Sequence, residues 1–140
     1  MSIIDSEQLR NELYQFHGTE EYHRHPFNQR LFWTDGVQNF AQRAQAFWFI
    51  DVIAVGANGR PGPVPQAVPR QSEFAVVLLE VKDVLANLRL YSDTDEDGNY
   101  PRDFLLYEEP IGFTDCPPGT WKFYLEEEGD FVVLMLPGER

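Results

Sequence analysis

Residues 120–137, "TWKFYLEEEGDFVVLMLP", read as two β-strands joined by a tight acidic turn around Gly129. Upstream, "DFLLYEEPIGF" (103–113) reads as another strand, in which Pro110 marks an edge or a bulge. In "VLANLRLY" (84–91) the residues alternate, with Val84, Ala86, Leu88 and Leu90 on one face and Asn87 and Arg89 on the other. "FAVVLLEV" (74–81) is apolar enough to be a buried strand. The second half of the chain is therefore strand-rich.

Helices precede the strands. In "DSEQLRNELYQFHG" (5–18), Asp5 or Ser6 can cap the first turn, Leu9, Leu13 and Phe16 share a stripe, and Gly18 suits the position past the end. "EYHRHPFNQRLFWTDG" (21–36) is extended, with Leu31 and Trp33 on one side of a strand. Thr34 or Asp35 caps a second helix running to Val55, whose apolar face collects Val37, Phe40, Ala41, Ala44, Phe47 and Trp48. Two helices followed by strands predict an α+β fold, an antiparallel sheet of about five strands with two helices packed on one face. The segment "GANGRPGPVPQAVPRQ" (56–71) holds four prolines and three glycines and is expected to be a surface loop adding little to the core. At 140 residues, one domain spanning 1–140 is expected.

Composition narrows the function classes. The net charge is −12, and residues 71–140 carry 16 Asp/Glu against 5 Lys/Arg while residues 1–70 are nearly balanced at 7 against 6. Such a field repels nucleic acid and anionic lipid and favours a basic protein partner. The longest apolar runs, "AFWFIDVIAV" and "FVVLML", fall short of the roughly 20 residues that span a bilayer. A single cysteine, Cys116, permits no intrachain disulfide, and the first residues carry no secretory pattern, so a cytoplasmic setting is expected.

Several residues invite a chemical reading. Asp93, Asp95, Asp97 and Gly98 reproduce the first half of an EF-hand loop, but the twelfth position is Phe104, the ninth is Pro101, and the flanks read as strands. An acidic hairpin loop is the simpler expectation. His17, His23 and His25 are the only histidines, and alternation puts His23 and His25 on one strand face. A metal there would need a third imidazole or a carboxylate, with Glu20, Glu21 or Asp51 as candidates, and the spacing matches no metal signature, so no metal and no cofactor are expected. Asp51 falls on the stripe of the second helix that faces the core, which predicts a buried carboxylate. Its partner is then a tyrosine hydroxyl, an indole N–H or His25 in a structural role, or it is a perturbed acid in a pocket beside His25 and Tyr22. Cys116 precedes Pro117 and Pro118 with no base nearby in sequence, and no nucleophile elbow, phosphate loop or zinc-protease motif occurs. No catalytic residue is assigned; Tyr22, His25, Asp35, Asp51, Asp93, Asp95 and Asp97 are the candidate binding residues.

Three stretches, "FHGTEEYHRH" (16–25), "WTDGVQNFAQRAQAFWFIDVIA" (33–54) and "FTDCPPGTWKFYLEEEGDFVVLMLP" (113–137), together resemble a family of small uncharacterised proteins found in bacteria and on their plasmids and phages. The most specific pieces are "TDGV" (34–37) and "FID" (49–51), while segment 56–71 is longer than that family's usual connection. The resemblance implies a mobile-element setting and no particular chemistry. The resulting expectation is a non-enzymatic interaction module whose acidic half binds a basic surface on a host or self protein, inhibiting a nucleic-acid-binding host protein by mimicry. The alternative is a small-molecule or metal-binding enzyme centred on His25, Asp51 and Tyr22.

Overall fold

The computed structural model describes residues 4–18, 21–57, 61–64 and 74–140. Within them the order is α1 (Ser6–Leu13), β1 (His23–Arg24), β2 (Leu31–Trp33), α2 (Asp35–Arg43), α3 (Phe47–Val55), β3 (Phe74–Lys82), β4 (Leu85–Tyr91), β5 (Leu105–Ile111), β6 (Gly119–Glu128) and β7 (Phe131–Met135). The strands form one seven-stranded sheet in the order β1-β2-β7-β6-β3-β4-β5. The five strands read from residues 74–137 are all present, and the fold is α+β. Two features depart from expectation. The strand read at Leu31 and Trp33 is present as β2 and gains the short β1 beside it, so the sheet has seven strands rather than about five, and β2 runs parallel to β7, with Leu31, Phe32 and Trp33 opposite Val132, Val133 and Leu134.

The expected second helix is two helices. After α2, Gln45 adopts a left-handed backbone at φ 53°, and the amide of Ala46 reaches back to the Ala41 carbonyl at 2.9 Å. This pairing closes the helix as a Schellman-type end. The chain restarts at Phe47 with a new phase, so the stripe extrapolated from α2 does not continue into α3. Phe49, Ile50, Val52, Ile53 and Ala54 are buried, whereas Asp51 is exposed.

All three helices cover one sheet face. In register across β4, β3 and β6, Leu90, Val77 and Phe123 form one row, and Leu88, Leu79 and Trp121 form the next. Phe40 of α2 meets Phe123 edge-on at 5.0 Å, and Phe49 of α3 lies 5.0 Å from the same ring. Burying each such ring stabilises the fold by about 1.5–3 kcal/mol. On α1, Leu9 is fully buried and Arg10 lies 4.5 Å over Trp121. Glu12 grips Arg43 of α2 through Nε and Nη2 at 3.2 and 3.0 Å, and the Arg43 hydrogen bonds hold the Glu12 carboxyl below the usual range.

Segment 56–71 also corrects an expectation. Among its described residues, Val64 is 2% exposed, and its amide bonds the Ile53 carbonyl at 3.3 Å. A Cβ added to Gly62 would lie 2.6 Å from the Val52 carbonyl oxygen, so glycine is what allows this approach. Residues 61–64 therefore pack on the end of α3; residues 58–60 and 65–71 lie outside the described residues. No helix among the described residues is long and apolar enough to cross a membrane.

Candidate functional site

Two histidines flank Trp33 on the helix-bearing side of the sheet. Because β1 pairs with β2, His23 sits opposite Trp33 and stacks on it at 6.0 Å and 15°, while His25 meets the same indole edge-on at 6.3 Å. The expectation that His23 and His25 share a face holds in this geometry. Trp33 is locked in turn by Nε1–H donating to Gln38 Oε1 at 2.7 Å. Trp33 went unassigned in the sequence although its alternation with Leu31 was visible.

His25 is committed on both ring nitrogens. Nδ1 accepts the amides of Phe27 and Asn28 at 3.1 and 3.0 Å, so the proton must sit on Nε2, which donates to Asp51 Oδ1 at 2.8 Å. Neither nitrogen is left to take a proton from a substrate. Next to it, fully buried Asn28 donates from Nδ2 to the carbonyls of Ala54 and Val64 at 2.9 and 2.8 Å. The turn after β1 is thereby tied to α3 and to the segment around Val64. His25 was among the partners foreseen for Asp51, but the burial is inverted. His25 is 1% exposed and the Asp51 side chain 63%, because the helix phase was reset at Gln45.

Tyr22 does not join this pair. It is exposed on the opposite face, where it lines an open groove of about 240 Å3 with Phe32, Phe131 and Val133. Strand alternation separates Tyr22 from His23 and His25, so the grouping of His25, Asp51 and Tyr22 is not assembled.

Asp35 occupies the first turn of α2 behind the N-cap Thr34, whose hydroxyl accepts the Val37 amide. That hydroxyl donates to Glu139, whose carboxylate also accepts the Gly36 and Leu136 amides, each at 3.0 Å. A carboxylate at a helix N-terminus meets the positive end of the dipole. A Cβ on Gly36 would lie 2.5 Å from Glu139 Oε1, so the glycine of "TDGV" admits the far end of the chain. Asp35 itself accepts from His23 Nε2 at 3.2 Å and from the Glu21 amide at 3.3 Å. One ligand atom each from Glu21, His23 and Asp35 lie within 4.8 Å of one another.

The acidic residues lie elsewhere. Asp95 turns inward and caps its own loop, Oδ1 accepting the amides of Asp97 and Asn99 at 2.9 and 2.8 Å, while Asp93 Oδ1 accepts the Thr94 amide at 2.8 Å. Gly98 supplies the positive φ of 80° that closes the loop. Strand β4 precedes this loop, and a single 3-10 turn (Arg102–Phe104) leads from it into β5. Asp93, Glu96, Asp97, Asp103 and Asp115 are exposed along the end of the sheet formed by β5. On the sheet surface Arg89 donates to Glu108 at 2.7 Å, and this bond holds the Glu108 carboxyl below its usual range. Exposed apolar side chains lie along the same edge: Leu106 near the acidic loop, and Phe113, Val84 and Leu85 at the other end of the β4–β5 pair, beside Asp115. The Thr114 amide bonds the Val84 carbonyl at 2.7 Å, bringing Phe113 to the β3–β4 corner. Cys116 is buried, and desolvation pushes its thiol up to about 12, the opposite of an activated nucleophile.

No curated protein and no solved structure matches the chain significantly. A family model described as a family of unknown function (DUF6876) matches residues 7–140, nearly the whole sequence, and the chain belongs to that family.

Proposed function

We propose that the protein is a non-enzymatic interaction module whose β5 end receives a basic, partly apolar segment of a partner protein. The observation that carries this reading is the coincidence of charge and exposed apolar surface. Residues 91–115 expose Asp93, Glu96, Asp97, Asp103 and Asp115, and the same stretch exposes Leu106 at 50% and Phe113 at 65%. Charge of one sign steers a basic partner to the surface, and the apolar side chains supply contacts that charge alone does not. A host protein whose basic surface otherwise faces nucleic acid fits this description, in keeping with the mobile-element setting that the sequence resemblance implies.

The alternative, an enzyme centred on His25, has less support, since His25 Nδ1 is held by two amides and Nε2 by Asp51. The test is capture from host lysate by immobilised protein, compared with a variant carrying Asp93→Lys, Glu96→Lys and Asp97→Lys. The expected result is a basic protein retained at 0.1 M salt, lost at about 0.5 M as screening shortens, and absent from the variant. Equal capture by the variant overturns the proposal.

A further inference from the structure

We propose that Glu21, His23 and Asp35 form a binding site for a divalent transition-metal ion, with Zn2+ as the best-fitting ion. The proposal is independent of the acidic end. Sequence spacing gave no metal signature because one ligand comes from the start of α2, twelve residues beyond His23. Folding joins them: His23 Nε2 and Asp35 Oδ1 are 3.2 Å apart, and an atom of Glu21 completes a group within 4.8 Å. Ligands at about 2.0–2.1 Å from a tetrahedral Zn2+ lie about 3.3 Å from one another. The His23–Asp35 spacing already fits, and the Glu21 carboxylate lies within 4.8 Å of both, about 1.5 Å beyond the tetrahedral spacing at most.

The ligands are held from behind. His23 is fixed by its β1–β2 pairing and by stacking on Trp33, which is itself bonded to Gln38. Asp35 is fixed by the capped start of α2, and the Glu21 amide bonds its Oδ2 at 3.3 Å. Such backing supports the orientation of metal ligands. His25 is excluded as a ligand because both of its nitrogens are used.

The donor set selects the ion. One imidazole with two carboxylates suits Zn2+ and its first-row neighbours, whereas Ca2+ and Mg2+ take oxygen ligands. The positive end of α2 opposes a cation, but it amounts to about half an elementary charge against two full carboxylates. Glu139 on the Gly36 amide offsets it further. Three protein ligands leave the fourth position of a tetrahedral ion to water.

Calorimetric titration of the full chain with Zn2+ tests the site, using Glu21→Gln, His23→Gln and Asp35→Asn, with His17→Gln as the control histidine. Expected are one ion per chain, weakening of about tenfold or more in Glu21→Gln and Asp35→Asn, loss in His23→Gln, and no change in His17→Gln. Histidine ring resonances should shift at His23 and not at His17. Circular dichroism establishes that each variant is folded, and the exposed Glu21→Gln provides an answer even if Asp35→Asn unfolds. Absence of saturable binding in the wild type, or wild-type affinity in Glu21→Gln or His23→Gln, overturns the proposal.

Discussion

At His25 the fold uses every hydrogen-bonding capacity of one imidazole, and that fixes its tautomer. Two amides at Nδ1 and one carboxylate at Nε2 define a pin between the turn after β1 and α3. Removing the ring leaves two amides without their acceptor and opens a cavity, whereas removing the exposed carboxylate leaves one N–H at a position water can approach. His25→Ala is therefore expected to cost roughly 3 kcal/mol or more, and Asp51→Ala and Asp51→Asn about 1 kcal/mol or less. Urea denaturation of the three variants reads this ordering, and an Asp51→Ala loss as large as that of His25→Ala would refute it. The His25–Asp51 partnership was among the sequence readings because both side chains needed a partner. Its inverted burial was not legible, since it depends on one backbone dihedral several residues away.

That dihedral belongs to the element scale. Helical periodicity carries the eye from Val37 through Trp48 without interruption, and no glycine announces a stop. The stop is made by Gln45 in a conformation that L side chains enter at a cost. Gln45→Gly should raise stability by about 0.5–1 kcal/mol, measured by urea denaturation, by relieving that strain at the end of α2. No gain, or a loss, would mean that the side chain contributes more than its backbone costs. The strands were easier to read, because two-residue alternation in β4 and the acidic turn at Gly129 are local signals. Less legible were the two-residue β1, which exists only as a partner of β2, and the parallel pairing of β2 with Val132, Val133 and Leu134 of β7. Val64 is a similar case: a single apolar residue among prolines looks like loop until α3 and Asn28 supply its partners.

On the scale of the whole molecule, the chain divides its chemistry. The β1–α2 side gathers two histidines, a tryptophan and Asp35, and the β5 end gathers acid and exposed apolar side chains. Charge asymmetry along the sequence announced the acidic end, because β4 and β5 are neighbours in sequence as well as in space. The convergence of Glu21, His23 and Asp35 was only partly legible: Glu21 and Asp35 were each singled out, but their meeting requires the β1–β2 pairing to face α2. The central claim, that the β5 end is where a partner binds, is tested most directly by hydrogen–deuterium exchange of the full chain with and without the captured basic partner. Slowed exchange should concentrate in residues 91–115 and at the Asp83–Leu85 corner, leaving α1, α2 and α3 unchanged. Protection confined to the helices, with residues 91–115 exchanging as in the free protein, would contradict the claim.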